Sequence, residues 1–399
     1  MQLPTINCYR YLVMFFSLTL VLAMTLSCLA DEVDVWIGTG GTEGIFHLTL
    51  DMKKGKLSKP EVAVKVAGSG FLDLHPNGKI LYSTAKQNGE SGVAAFKIST
   101  NANLTDLAQL ETPTKRQKQS RWLKPLGFLP SGDGGATCVS VDETGKTLMS
   151  AQYGGGSVSS YTINPDGSLG QRVEVIEHGP GSGVNKKRQS KSHPHWVGTS
   201  PGNRFLMVPD LGLDQVVVYE LDSETAKLKP HSKVAVPPGS GPRHMKFHTS
   251  GKFAFVLNEL TLTISVFKFD AMTGAFERIQ LIETLPPELK DKHLNSAAEI
   301  RVHPSGQFVY SSNRGHDSIT VFAVDQETGK LTFVERESIR GSWPRNFNID
   351  PTGKWLIAAG QRSNTLSVFE IEQETGELVF TRNVVNVPEP ICVLFGRQP

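Results

Sequence analysis

The sequence predicts an all-β fold, a seven-bladed β-propeller with four antiparallel strands in each blade. Two turn motifs that recur through the chain support this prediction, and so does a strand at the C terminus that completes an N-terminal sheet. A period of about 50 residues with four strands per repeat is typical of propellers. Such a sheet cannot bury both of its faces alone, and stacking in a ring buries them. The alternative is an open run of hairpins in two sandwich domains.

Residues 241–276 contain one complete repeat. Its first three strands, A to C, are HMKFH, FAFVLN and TISVFKFD, and strand D begins near Phe276. Apolar residues alternate with polar residues in these segments, which is the pattern of a strand with one buried face. Gly251 and Gly274 lie in the A–B and C–D turns, where a tight turn needs a positive φ angle.

Both turns recur along the chain. The six copies of the A–B turn are 75–79, 142–146, 200–204, 248–252, 303–307 and 350–354. The seven copies of the C–D turn end at Leu57, Leu104, Leu169, Leu228, Phe276, Leu331 and Leu378. The missing A strand lies at the C terminus, in 388–396, and the N-terminal strands begin near Val35, Gly44 and Pro60. Pairing of these segments would form blade 7 and close the ring.

Residues 1–30 are predicted to be a signal peptide, and residues 31–399 a single propeller domain. Arg10 precedes an apolar run, and the small residues of 27–30 suit cleavage. We therefore expect export to the periplasm or the exterior, with an uncleaved membrane anchor as the alternative. A net charge of +2 for the whole chain gives no reason to expect a nucleic-acid partner. We expect a monomer that does not contact a membrane after cleavage.

Two of the four cysteines, Cys138 and Cys392, lie in predicted A strands of non-adjacent blades. We interpret them as small apolar core residues rather than a disulfide. Residues 106–134 interrupt the repeat and are predicted to form a solvated loop, with a lid over the channel as the alternative. No cysteine–histidine cluster has zinc spacing, and we expect neither a metal nor a cofactor.

Polar side chains concentrate at the starts of A strands and the ends of B strands, which the topology places at one mouth of the central channel. The candidates are His193, His195, Arg243, His244, Asn258, Glu259, Glu299, Asn313, Arg314 and Arg345. Arginine suits an anionic substrate and a developing oxyanion, whereas carboxylate and imidazole groups suit proton transfer. The structural alternatives are arginine–carboxylate pairs and asparagines that satisfy turns. Histidines of the opposite turns, His75, His248 and His303, are predicted to be structural.

These motifs resemble the seven-bladed lactonase family, which includes the propeller-type 6-phosphogluconolactonase and the fungal carboxy-muconate cyclase. The resemblance rests on His195 with SPGNRFLMVPDLGLDQVVVYELD, and on GPRHMKFHTSGKFAFVLNEL, AAEIRVHPSGQFVYSSNRGHDSITVF and WPRNFNIDPTGKWLIAAGQRSNTLSVFEI. It implies catalytic roles for His195, Arg243, Glu259 and Arg314. The other candidates, His193, His244, Asn258, Glu299, Asn313 and Arg345, are expected to bind substrate.

The resemblance implies metal-independent hydrolysis of a lactone, with 6-phosphogluconolactone as the implied, anionic substrate. Glu259 is the first choice for general base and His195 for the proton carrier, and the reverse assignment is the alternative. The chain departs from the family pattern at Glu299, where aspartate is common, in the 106–134 insertion, and in its export signal. Two other functions stay open, a muconolactone-type cycloisomerase on the same site and a non-enzymatic binding propeller.

Overall fold

Seven antiparallel sheets make up the described part of the protein. The computed structural model describes residues 31–99, 122–290 and 295–397, and the predicted signal peptide lies outside these ranges. The sheets are the blades of a seven-bladed β-propeller, so the fold prediction is confirmed. Within the described ranges, no helix combines the length and the apolar character needed to cross a membrane.

The strands follow one another in blade order. The N-terminal strands are β1 (Glu32–Thr39), β2 (Ile45–Asp51), β3 (Lys56–Leu57) and β4 (Glu61–Val64). Blade 1 contains β5 (Leu72–Leu74), β6 (Ile80–Gln87), β7 (Glu90–Ile98) and β8 (Leu123–Pro130). Blade 2 contains β9 (Ala136–Val141), β10 (Thr147–Gln152), β11 (Ser157–Ile163) and β12 (Leu169–Glu177). Blade 3 contains β13 (Gly198–Thr199), β14 (Phe205–Asp210), β15 (Gln215–Asp222) and β16 (Lys227–Ala235).

The second half continues in the same order. Blade 4 contains β17 (Pro242–Phe247), β18 (Phe253–Asn258), β19 (Thr263–Asp270) and β20 (Ala275–Glu283), and the short helix α1 (Pro287–Lys290) follows it. Blade 5 contains β21 (Ser296–Val302), β22 (Phe308–Arg314), β23 (Ser318–Val324) and β24 (Leu331–Ser338). Blade 6 contains β25 (Pro344–Ile349), β26 (Trp355–Gly360), β27 (Thr365–Ile371) and β28 (Leu378–Asn386), and the last strand is β29 (Pro390–Phe395).

The two ends of the chain form blade 7 together. Strand β29 pairs antiparallel with β1, with Val35 opposite Phe395 and Ile37 opposite Val393. Both β3 and β4 pair with β2, so the outer strand of this blade is split into two pieces. The predicted ring closure is therefore confirmed.

Apolar side chains fill the spaces between neighbouring blades. Trp355 and Ile357 of blade 6 pack with Val33 and Leu48 of blade 7 in one buried cluster. Each such side chain contributes about 1.5–3 kcal/mol when it is fully buried. Trp355 also donates a hydrogen bond from Nε1 to the carbonyl oxygen of Met52, 3.0 Å away. The ring is thus closed by packing as well as by strand pairing.

Histidines of three A–B turns hydrogen-bond to the next blade. In each case Nε2 contacts the carbonyl oxygen of a glycine in the following A–B turn. The distances are 3.0 Å from His75 to Gly145, 2.9 Å from His248 to Gly306 and 2.8 Å from His303 to Gly353. Since a carbonyl oxygen only accepts, each imidazole donates this bond. The prediction that these histidines are structural is confirmed.

Residues 106–134 are not a single loop, and that prediction is wrong for part of the segment. Residues 123–130 form β8, the outer strand of blade 1, which pairs with β7 along its length. Leu123 is fully buried, so the start of this strand is anchored in the blade. Residues 106–121 lie outside the described ranges, as does the predicted turn that ends at Leu104.

Cys138 and Cys392 are both buried and free, which confirms the interpretation that they are core residues. Burial in apolar surroundings raises the pKa of the Cys138 thiol well above its usual range and that of the Cys392 thiol to about 12. Both thiols are therefore protonated at neutral pH.

Candidate active site

Bulges at the starts of inner strands direct side chains into one mouth of the channel. The strand register shifts beside Arg243 in β17, beside Glu299 in β21 and beside Arg345 in β25. A bulge inserts one extra residue and re-aims its side chain, and bulges are common next to active sites. The sequence pattern did not reveal them, because the apolar alternation resumes after each bulge.

Glu259 follows β18 and lies at the centre of an ion cluster. Its Oε2 atom is 3.0 Å from Nε of Arg243 and 3.1 Å from Nη2 of Arg314. Its Oε1 atom accepts a hydrogen bond of 2.7 Å from Nη2 of Arg188. Burial raises the pKa of the Glu259 carboxyl, but the three guanidinium groups outweigh burial and hold the pKa at about 2. Glu259 is therefore ionised and is a weak proton acceptor.

A second buried carboxylate, Glu299, orients Arg243 through a histidine. The Nδ1 atom of His244 lies 3.0 Å from Oε1 of Glu299, and its Nε2 atom lies 3.0 Å from Nη1 of Arg243. Since Arg243 can only donate, Nε2 accepts and Nδ1 donates to Glu299. Burial lowers the pKa of His244 to about 3, so this imidazole is neutral. Asn346 and Arg301 donate to the other oxygen of Glu299.

A cavity of about 200 Å³ opens at this mouth. The sequence-predicted candidates among its lining residues are His195, Arg243, His244 and Arg345. Lys86 of blade 1 adds a third cationic side chain, and no Asp or Glu from the described part of the chain lines the cavity. The cavity is therefore electropositive and suits an anionic ligand.

His195 precedes β13 and is 5% exposed. Its ring lies 5.2 Å from that of His244 and 5.3 Å from that of Tyr153. Its Nδ1 atom has no hydrogen-bond partner among the described residues. Burial and the nearby Arg243 lower the pKa of His195 well below its usual range. The imidazole is therefore neutral at physiological pH and has a nitrogen that can accept a proton.

The structure places four of the six predicted substrate-binding residues away from the cavity lining: His193, Asn258, Glu299 and Asn313. His193 stacks on Tyr153, with 4.4 Å between ring centroids, and hydrogen-bonds to its carbonyl oxygen. Asn258 donates to hydroxyl groups of its own blade, as does Asn313. These two asparagines fit the structural alternative. The other candidates that do not line the cavity are Glu259 and Arg314.

The comparison with protein families agrees with this geometry. A model of the family described as Lactonase, 7-bladed beta-propeller, matches residues 34–395. The chain belongs to the seven-bladed β-propeller lactonase family. Since lactonases hydrolyse cyclic esters, the prediction of an ester hydrolase is confirmed.

Two relatives of this lactonase are themselves named as lactonases, and a third protein, of known structure, has a similar fold. This lactonase is 37% identical over 370 residues to the 6-phosphogluconolactonase of Bacillus subtilis, across 91% of this chain and 98% of the relative. Its fold resembles the periplasmic gluconolactonase of Pseudomonas aeruginosa, with a TM-score of 0.81, 28% identity and coverage of 92% and 100% of the two chains. A Lactobacillus plantarum protein has a TM-score of 0.79, 29% identity and coverage of 91% and 99%.

Sequence reasoning missed one residue of the lactonase's ion cluster, Arg188. It lies in the connection 178–197 between blades 2 and 3, where no motif marks it. Asp214 anchors this connection by accepting hydrogen bonds from Ser182 Oγ, at 3.0 Å, and from Gln189 Nε2, at 2.7 Å. The anchored connection brings Arg188 to both Glu259 and the hydroxyl of Tyr153.

Proposed function

We propose that this lactonase hydrolyses a sugar lactone that carries an anionic group, of the 6-phosphogluconolactone class. The observation that carries the proposal is that His195 and Arg243 line one electropositive cavity at the mouth of the channel. The family and the 37% identity to a 6-phosphogluconolactonase support the same chemistry.

Arg243 would bind the carbonyl oxygen of the lactone. Its guanidinium is held from three sides, by Glu259, by His244 and by the carbonyl oxygen of Ala298. A donor that is fixed before the reaction needs no reorganisation when negative charge develops on the carbonyl oxygen. Burial lowers the pKa of Arg243 to about 9, so the guanidinium is still charged at neutral pH.

His195 rather than Glu259 would act as the general base, which reverses the first choice made from the sequence. Glu259 is surrounded by three guanidinium groups and is not among the cavity-lining residues. His195 lines the cavity, where its imidazole can reach a water molecule and a bound lactone. An anionic substrate would partly offset the charge of Arg243 and so raise the pKa of His195 toward the range in which general bases work best.

The reaction then has two proton transfers. The oxygen of a water molecule attacks the lactone carbonyl carbon while His195 takes one of its protons. The tetrahedral intermediate carries its negative charge on the former carbonyl oxygen, next to Arg243. The bond from carbon to the ring oxygen breaks, and His195 returns the proton to that oxygen. The product is an open-chain hydroxy acid, and the enzyme is regenerated.

A pH-stat assay on residues 31–399 tests this proposal. The substrates are 6-phosphogluconolactone and unphosphorylated gluconolactone, with chelator present and spontaneous hydrolysis subtracted. We expect enzymatic acid release that the chelator does not affect, and incorporation of one oxygen from labelled water. Turnover of a muconolactone without incorporation would indicate the cycloisomerase, and no rate above background on any lactone would favour a binding propeller.

We also propose that the chain is exported. The apolar segment and small residues within 1–30 support this, as does the resemblance to a periplasmic gluconolactonase. Sequencing the N terminus of the protein recovered outside the cytoplasm tests it. A start at Asp31 is the expected result, and retention of residues 1–30 would indicate an anchor.

A further inference from the structure

A lysine of blade 1 lines the same cavity as Arg243 of blade 4 and Arg345 of blade 6. Lys86 lies at the end of β6 in blade 1, whereas His195 and Arg243 belong to blades 3 and 4, and all three line the same cavity. We propose that Lys86 and Ser91 form a subsite for the anionic tail of the substrate. Lys86 would then determine the preference for phosphorylated over unphosphorylated sugar lactones. This inference rests on the proposed function, because it assumes that the carbonyl group binds at Arg243.

The backbone of Lys86 is fixed by a hydrogen bond, and the stem of its side chain lies close to Gly68. Its amide nitrogen donates a 2.7 Å hydrogen bond to the carbonyl oxygen of Ala67, in the connection between blades 7 and 1. A Cβ atom added to Gly68 would lie 3.0 Å from the Cγ atom of Lys86. Gly68 has a φ angle of 70° and also lines the cavity. The glycine therefore leaves the space through which the lysine stem passes.

Ser91 provides a second donor at the same position. Lys86 and Ser91 are directly opposite each other in the register of β6 and β7, so their side chains lie on the same face of the hairpin. Both residues line the cavity. An ammonium group beside a hydroxyl group can bind two oxygens of one phosphate with charge-assisted and neutral hydrogen bonds.

The charge of Lys86 is available to a ligand. Within the described ranges, no carboxylate oxygen lies within ion-pair distance of its Nζ atom. Arg243, in contrast, is already paired with Glu259. Arg345 also lines the cavity, from the start of β25 in blade 6, and is tested below as the alternative partner of the anionic tail. The Arg243 side of the cavity thus suits the carbonyl group of the lactone, and the Lys86 side suits its anionic tail.

The first test compares two substrates in matched variants. In Lys86→Met, we expect kcat/KM for 6-phosphogluconolactone to fall on the order of 10-fold, mainly through a higher KM. The fall should be no larger because the lysine is exposed and solvent partly screens its charge. The value for gluconolactone should stay within about a factor of two. Lys86→Arg should retain most of the preference. Lys97→Met, at the far end of the same hairpin, is the control and should change neither value.

An equal fall for both substrates in Lys86→Met, or no fall for either, would overturn the subsite. In Arg345→Gln, by comparison, both substrates should be affected alike. If Arg345→Gln loses specificity for the phosphorylated substrate and Lys86→Met does not, the anionic tail binds at Arg345 instead.

A second test does not depend on activity. Calorimetry measures the binding of 6-phosphogluconate and of gluconate to the wild type and to Lys86→Met. We expect tighter binding of the phosphorylated acid to the wild type and loss of that difference in the variant. If this pattern appears without any lactonase activity, the proposed function fails and the subsite stands. If the wild type binds both acids equally, the subsite is wrong even when lactones are hydrolysed.

Discussion

The Oε2 atom of Glu259 lies 3.0 Å from Nε of Arg243, and both side chains are almost completely buried. The same oxygen is 3.1 Å from Arg314, and Arg188 binds the other oxygen. One carboxylate therefore contacts three guanidinium groups, and one of these, that of Arg243, lines the cavity. The predictions below follow from this cluster, from His195 and from the contacts between blades.

Glu259→Gln should destabilise the protein at pH 7. Removing the carboxylate leaves buried guanidinium groups without a counter-charge, which typically costs about 3–5 kcal/mol. Thermal or urea unfolding of the wild type and the variant measures this difference. Glu277→Gln, which changes an exposed carboxylate in β20, is the control and should change stability little.

The stability difference between wild type and Glu259→Gln should disappear in acid. The pKa of Glu259 is about 2 in the folded protein and 4.5 ordinarily, so its contribution is fully present above about pH 4.5. The contribution is lost as the pH falls toward 2, because a protonated Glu259 resembles glutamine. Unfolding measured from pH 7 to pH 2.5 tests this, and a difference that does not depend on pH would contradict it.

Arg188→Met should reduce kcat/KM on the order of 10-fold, because Arg188 helps fix the carboxylate that holds Arg243. Arg188 lies behind the reacting groups, so the fall should appear in kcat more than in KM. Steady-state kinetics on the preferred lactone measures both. Lys187→Met, the adjacent exposed position, is the control, and an equal loss in that variant would assign the effect to the connection as a whole.

The acid limb of the profile of kcat/KM against pH should lie below pH 6.5. Burial and Arg243 lower the pKa of His195 below its ordinary value of 6.5, so the neutral, proton-accepting form persists into mildly acidic solution. His195→Gln should lose about 10²–10⁴-fold in rate. A limb well above pH 6.5, or near-normal activity of His195→Gln, would exclude His195 as the base.

His303→Ala should destabilise the propeller by about 1–3 kcal/mol without changing kcat. The substitution removes the 2.8 Å hydrogen bond to the carbonyl oxygen of Gly353 between blades 5 and 6, which leaves that oxygen only the longer 3.1 Å bond from Gln373. It also removes the packing of a buried ring. Urea unfolding and steady-state kinetics on the same samples test both parts. A large loss of activity in a folded variant would show that the two ends of the channel are coupled.

The sequence was sufficient for features that depend on local pattern. The recurring A–B turns, the closure of blade 7 by β29 and the structural role of His303 all follow from spacing and strand alternation. The outer strand of blade 1 was missed because this repeat is longer than the others, and residues 106–134 were therefore interpreted as one solvated loop.

The candidate site was predictable as a set of residues but not as an arrangement. Topology indicated that Arg243, Glu259 and Arg314 meet at one mouth, and they do. Whether each side chain lines the cavity depends on bulges and on ion pairing, which leave no local signal in the sequence. Arg188 was missed for the same reason, because its position depends on an anchored connection rather than on a strand.

The central claim is that Arg243, held by Glu259 and His244, stabilises the oxyanion of a lactone in the cavity. The most direct measurement is acid release from 6-phosphogluconolactone by the wild type and by Arg243→Gln, with folding checked by circular dichroism. We predict clear catalysis by the wild type and a fall of about 10²–10³-fold in kcat for the variant, the usual effect of removing one oxyanion donor. A folded Arg243→Gln with kcat within about a factor of three of the wild type would contradict the claim.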